Sequence, residues 1–274
     1  MIRRLVTAIA TVAAALFATP TFAGNIALTG HDSDFHCTFG SALACSQINT
    51  LVTFVRSGAP NTTLPVLTFD QGTELTGALT SVGIPWVNVS TVAGVGTASF
   101  DTTLYSAFAV ASDSDCGGCD NSDAFVAAIA ARLADITTFF NAGGGIFGLS
   151  ADGNPNYYNF VPQSSSSIGG APSSGYVASS CFGITPTAVN GDATHNHFSE
   201  PGTGGVSSLY CVAERNPTGL PAGQNAMTLM LQGGTIVTSV ITTTSGGTAE
   251  VPEPATLSLV GLGLAAAYRR RRRS

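Results

Sequence analysis

The four histidines of this chain fall in two short clusters, His31-Asp32-Ser33-Asp34-Phe35-His36 and His195-Asn196-His197. Imidazoles mixed with carboxylates suit a divalent transition metal such as zinc, with His31, His36, His195 and His197 as its nitrogen donors. No helical H-E-x-x-H spacing accompanies them, so the same residues also read as polar loop side chains held by hydrogen bonds. A second constellation runs Asp113-Ser114-Asp115-Cys116-Gly117-Gly118-Cys119-Asp120-Asn121-Ser122-Asp123. It offers the oxygens that calcium needs, about six to eight, but lacks the EF-hand order and its distal glutamate. The plainer reading is a loop whose acids favour the amino end of the following helix. Cys116 and Cys119 have thioredoxin-like spacing between a strand and a helix, yet four neighbouring aspartates disfavour a thiolate.

Positioning these groups requires a scaffold, and the first half of the chain supplies alternating patterns. Apolar strands are expected at Asn25 to Gly30, Pro65 to Phe69, Pro85 to Val89, Ala107 to Ala111 and Ile146 to Leu149. Helices are expected from about Cys45 to Ser57, with Leu51, Val52 and Val55 on one face, and from Thr73 to Val82. A longer one should run from Ser122, an N-cap, to about Asn141, with Phe125, Ile129, Leu133, Ile136 and Phe140 at helical period and Gly143-Gly144-Gly145 as its stop. Continuous apolar strands alternating with helices imply a parallel sheet covered on both faces. Such sheets bind ligands beyond the carboxyl ends of their strands. The candidate ligand-binding residues are therefore His31, Asp32, Asp34, His36, Asp113 and Asp152, at the ends of strands one, four and five, with His195 and His197 closing over them. After Ser150 the pattern gives way to Gly, Ser, Pro and Asn. Short β segments are expected near Tyr176, Val206 and Leu209, then at Thr228 to Leu231 and Thr235 to Thr243, with Ser164 to Ser167 as loop.

Three of these segments together resemble a known fold family. Asn25-Ile26-Ala27-Leu28-Thr29-Gly30-His31-Asp32, the strand reaching Ser112-Asp113, and Gly143-Gly144-Gly145-Ile146-Phe147-Gly148-Leu149-Ser150 look like the class I glutamine amidotransferase-like fold. Within it they are most similar to the trehalose-utilisation (ThuA-like) branch. The resemblance spans roughly Asn25 to Ser150 and implies a flavodoxin-like α/β fold, strand order 2-1-3-4-5, with irregular β-containing C-terminal additions. Amidotransferases carry a nucleophilic cysteine on the elbow after a central strand. The comparable turn here, Ser150-Ala151-Asp152-Gly153, has none, and no G-x-S-x-G elbow surrounds Ser150. The domain therefore reads as a non-catalytic binding module, the alternative being a metal-dependent hydrolase or other enzyme that uses the His/Asp site.

The two ends state where the protein goes. Arg3 and Arg4, the apolar Leu5 to Phe17 and the small-residue site Thr21-Phe22-Ala23 form an export signal, so residues 1–23 are removed and the mature chain begins near Gly24. The other end carries Pro252-Glu253-Pro254, an apolar run from Ala255 to Tyr268, and five arginines, Arg269 to Arg273. As a helix that run spans about 21 Å, short of a bilayer core of about 30 Å. The arginines hold their end on the cytoplasmic side. Residues 251–274 resemble the PEP-CTERM sorting signal. The resemblance implies cleavage near the motif by an exosortase-type membrane protease, after Sec export and signal peptidase, and delivery to the envelope or exopolysaccharide matrix.

Between the signals lie residues 24–241, read as one domain, and a linker over 242–250. From Gly24 to Glu250 there are three arginines, no lysine and fifteen acids, a formal charge of −12. Such a surface repels nucleic acid and anionic lipid. Six cysteines in an exported chain read as disulfides. Their spacing favours Cys37–Cys45, Cys116–Cys119 and Cys181–Cys211 among the possible pairings.

Overall fold

The computed structural model describes residues 23–113, 121–191 and 195–233, all within one compact unit that ends at Ser239. Five strands pair in parallel: β1 (Ile26–Thr29), β2 (Val66–Phe69), β3 (Trp86–Val89), β4 (Ala107–Val110) and β5 (Gly145–Gly148). Their order is β3-β2-β4-β5-β1. The chain then adds β6 (Ser167–Gly169), β7 (Val177–Ala178), β8 (Asn196–Phe198), β9 (Cys211–Arg215) and β10 (Ala226–Leu231), all through antiparallel pairs. The α/β class and the parallel core over Asn25 to Ser150 match expectation, whereas the order 2-1-3-4-5 does not. β1 stands beside β5, because β10 occupies its other edge with Ile26 opposite Leu231.

Alternation along the strands divides two cores, as the period of two requires. Ala27, Val66, Ala107, Ala109 and Phe147 face α2 (Ala42–Arg56) and α3 (Glu74–Ser81), whose Ile48, Leu51, Val55, Leu75 and Leu79 are buried against them. Ile26, Leu28, Phe69, Phe108 and Ile146 face α4 (Val92–Thr97), α5 (Asp123–Ala130), α6 (Leu133–Asn141) and the 3₁₀ turn Tyr157–Phe160. Burying each such phenylalanine or leucine stabilises the fold by about 1.5–3 kcal/mol relative to exposure. A further short helix, α1 (Ser33–Thr38), was not legible in the sequence and packs against α2 and α3.

The helix expected from Ser122 to Asn141 is two helices, broken at Ala131-Arg132. Arg132 leaves helical geometry so that its guanidinium can donate to Val95 O and Ala98 O at the end of α4, while lying 5.2 Å over the Phe100 ring. Ser122 precedes the helix as expected, but its hydroxyl donates to Gln71 Oε1 and does not cap the helix. Near Val206 and Leu209 there are turns, not strands: Gly202, Gly204 and Gly205 all take positive φ, a conformation that glycine reaches at no steric cost. Ser167, expected in a loop, opens β6.

Two of the expected disulfides are present, Cys37–Cys45 joining α1 to α2 and Cys181–Cys211 tying a turn to β9. The Cys116–Cys119 pair, the strand at Thr235 to Thr243, the linker and both terminal signals lie outside the described residues. Among the described residues no helix is long and apolar enough to cross a membrane.

Candidate functional site

The carboxyl ends of β1, β4 and β5 converge at one pole of the sheet, and the antiparallel half of the fold reaches over them. β8 continues along the edge of β10 that β1 occupies lower down: Thr29 opposes Thr228, and Phe198 opposes Ala226. The end of β8 therefore abuts the end of β1, with His195 N and Asn196 N both directed at Gly30 O. A Cβ on Gly30 would sit 1.9 Å from Asn196 O, closer than any side chain tolerates. Only glycine allows this junction.

The junction delivers His195 to the site. Its Nε2 lies 3.2 Å from Asp32 Oδ2 and its Nδ1 lies 3.1 Å from Asp152 Oδ1. Carboxylates accept hydrogen bonds, so the arrangement favours the imidazolium form, in which both ring nitrogens donate. The bond to Asp32 raises the His195 pKa against the opposing effect of burial, and the Asp152 charge adds to the rise. Asp152 is delivered by an uncommon backbone, φ 45° in the left-handed region, where residues other than glycine are sparse and strain collects at functional sites. Ser150 steadies that turn, its Oγ accepting from Asp152 N and bonding to Asn196 Oδ1, which also accepts from Ala151 N. On the other side His36 Nε2 stands 3.7 Å from Asp32 Oδ1. Thus Asp32, Asp152, His36 and His195, expected at the strand ends, do come together.

The other expected residues part from them. His31 points inward and its Nε2 is 3.0 Å from Glu214 Oε2; both side chains are fully buried. Glu214 also accepts from Gln47 Nε2, Thr228 Oγ1 and Val189 N, so this is a buried polar knot between β1, β9 and β10. Asp34 is fully buried, accepting from Ser112 N and Ser112 Oγ at 2.9 and 2.6 Å, so that it binds α1 to the end of β4. Burial, with the nearby Asp32 charge, pushes the Asp34 carboxyl up to about 7 against those hydrogen bonds. Asp70, just past β2, is raised by burial as well. His197 lies on β8 opposite Ile168, and burial lowers its pKa. The four histidines do not form one ligand set. Among the described residues no three His, Cys, Asp or Glu side chains are arranged to hold a metal ion.

Asp113 and Asp152 line a groove of about 390 Å³ with Asp123, Asn154 and Asn156. A neighbouring recess of about 360 Å³ shares Asp123, Asn154 and Asn156 and has Val126, Ala127 and Ala130 of α5 as its apolar wall. Asn154 Nδ2 donates to Asp123 Oδ1 at 2.7 Å, clamping the two walls together. Two buried tyrosines tie the following 3₁₀ turn to the strand ends: Tyr157 donates to Ala111 O and Tyr158 to Leu149 O, at the ends of β4 and β5.

Reading the sequence gives no role to Asn196, Glu214, Ser112 or the groove residue Asn154, and it places Asp123 only in the oxygen-rich loop before the helix. Partners such as His31 and Glu214 are 183 residues apart, and nothing local marks them. The one available signal was the DGNPN turn at residues 152–156, polar and turn-rich directly after a buried strand.

Comparison with protein families finds one match, the PEP-CTERM protein-sorting motif at residues 250–273. The motif marks an exported protein that an exosortase sorts. No curated protein and no solved structure matches the chain. No match supports the amidotransferase-like resemblance of the core.

Proposed function

We propose that the chain is an exported envelope or exopolysaccharide-matrix protein whose α/β domain is a non-catalytic binding module, with its ligand face at the carboxyl ends of β1, β4 and β5. One observation carries this reading. The imidazole at the centre of the site, His195, has both nitrogens engaged by Asp32 and Asp152. A general base needs an open nitrogen in reach of its proton, and here the ring serves as a fixed cation that ties three loops together. Ser150, at the amidotransferase-like elbow, is fully buried with its Oγ engaged by Asn196 and Asp152, which also speaks against nucleophilic use. Export through Sec, removal of residues 1–23 by signal peptidase and exosortase cleavage near Pro252-Glu253-Pro254 place the module outside the cytoplasmic membrane.

The test has two arms. Mass spectrometry of the native protein should show a start near Gly24 and loss of Arg269 to Arg273; retained arginines would defeat the sorting part. The processed protein should then cosediment with extracellular polysaccharide of its host without releasing new reducing ends. The hydrolase alternative is favoured if zinc or calcium raises the melting temperature and evokes such release, and if His36→Ala with His195→Ala abolishes both.

A further inference from the structure

The site continues outward from Asp32 onto α1. His36 lies 5.4 Å, edge to face, from Phe35, and Phe35 lies 4.6 Å from Phe39. Phe39 is 69% exposed and Leu43, in the same loop closed by the Cys37–Cys45 disulfide, 45%. Large apolar side chains at a rim of polar ones mark interaction surfaces. A contiguous track therefore crosses the pole: groove carboxylates, Asp152, His195, Asp32, His36 and then an aromatic pair. Asp32 anchors the track from below: it is only 8% exposed, with Oδ2 held by His195 and Oδ1 facing the His36 ring at 3.7 Å.

The charges of the track select the ligand. No lysine or arginine lines either recess, whereas Asp113, Asp123 and Asp152 do. Anionic polymers are repelled and an ammonium group is drawn in. The aromatic pair asks for a flat, partly apolar face, and it adds cation–π attraction for the same ammonium. The groove amides and carboxylates ask for hydroxyl donors.

We propose that this pole binds a glycan with free amino groups, an unacetylated hexosamine chain. Phe35 and Phe39 form its stacking subsite, and Asp152 with the groove carboxylates Asp113 and Asp123 receives its ammonium and hydroxyl groups. The proposal rests on the binding-module reading and narrows it to one ligand class.

Calorimetry of the processed protein with a glucosamine hexamer, its N-acetylated counterpart and hexa-lysine tests it. The free-amine hexamer should bind, and N-acetylation should weaken binding about tenfold or more, the equivalent of losing one charge-assisted contact. Phe39→Ala, at a site exposed enough to leave the melting temperature unchanged, should weaken the hexamer about tenfold while leaving hexa-lysine unaffected. Equal binding of the acetylated hexamer overturns the amino-sugar assignment but keeps a glycan-binding module. Equal binding of hexa-lysine, or indifference to Phe39→Ala, reduces the pole to an acidic patch and overturns the proposal. Silence with all three ligands overturns it too, while the cosedimentation arm above still judges the broader reading.

Discussion

In the parallel half of the sheet, β1, β2, β4 and β5 are four-residue runs buried on both faces by helices. In the antiparallel half, β6, β7 and β8 are only two or three residues long, and this half meets the parallel one partly through polar groups: Glu214, Thr228 and Asn196. The first half is held by apolar area, which tolerates substitution by similar volumes. The junction of the two depends on hydrogen-bond partners that cannot be exchanged singly, because a buried group left unpaired retains its full desolvation cost. The candidate site sits at that junction. Its carboxylates come from loops of the parallel half, and the imidazole that organises them comes from the antiparallel half.

The sharpest way to break this contrast is at Glu214. Replacing it with alanine strands His31, Gln47, Thr228 and Val189 at once, and loss of one partner in a buried charged network costs about 3–5 kcal/mol. An apolar trim in the parallel core such as Ile146→Val should cost only about 0.5–1.5 kcal/mol. Urea unfolding of both variants reads the difference, and near-equal losses would refute a polar junction.

Next come the disulfides, one in each half. Cys181–Cys211 closes a loop with a separation of 30 and Cys37–Cys45 one with a separation of 8. Chain entropy then gives about 3.7 kcal/mol for the first and about 2.6 kcal/mol for the second. Paired Cys→Ser variants should therefore lower the urea midpoint more in the antiparallel half. A reversed order would mean that β7 and β9 are held by packing and not by the crosslink.

A third prediction uses pH. Asp34 has a folded pKa pushed up to about 7, above the ordinary carboxylate value of about 3.9. The native state therefore binds more protons than the unfolded state between those values. Its contribution is fully present below about pH 4 and is lost as pH rises towards 7, on the order of 4 kcal/mol in all. The raised His195 acts in the same direction at higher pH, from its ordinary 6.5 upward. Asp34→Asn should flatten the lower limb of the stability profile and leave the upper one. A profile that rises from pH 4 to 7 in the parent would contradict the buried, proton-holding carboxyl.

What the sequence disclosed follows the same division. Four of the five parallel strands were legible because burial on both faces writes an unbroken apolar run, as in Ala107 to Val110; β3 is the exception, partly exposed along its length. Strand order was not, since β1 is placed beside β5 by β10, about two hundred residues later, as Ile26 opposite Leu231 shows. That Asp32, His36, Asp152 and His195 meet at the strand ends was legible from sheet geometry and histidine clustering. That His31 and Asp34 turn inward was not, because their partners Glu214 and Ser112 carry no local mark. The break after Ala131 was hidden for the same reason: Arg132 leaves the helix to satisfy carbonyls of α4.

The smallest expected effect concerns Asp152 and separates the two halves' hold on His195. Asp152→Gly relieves a left-handed backbone that costs a non-glycine residue roughly 1 kcal/mol. It also removes a carboxylate from a partly exposed ion pair worth about 0–1 kcal/mol. The two nearly cancel, so the melting temperature should stay within the shift that about 1 kcal/mol produces, a few degrees for a domain of this size. His195 should report the change where stability does not. Its pKa is raised first by Asp32 and only secondarily by Asp152. In an NMR titration Asp152→Gly should therefore lower the His195 pKa part of the way, and Asp32→Asn should lower it further. Were Asp152→Gly to have the larger effect, the β5 loop, and not the β1 loop, would be the principal anchor of the imidazole. Were neither to move it, His195 would not be the bridge between the halves that its two hydrogen bonds imply.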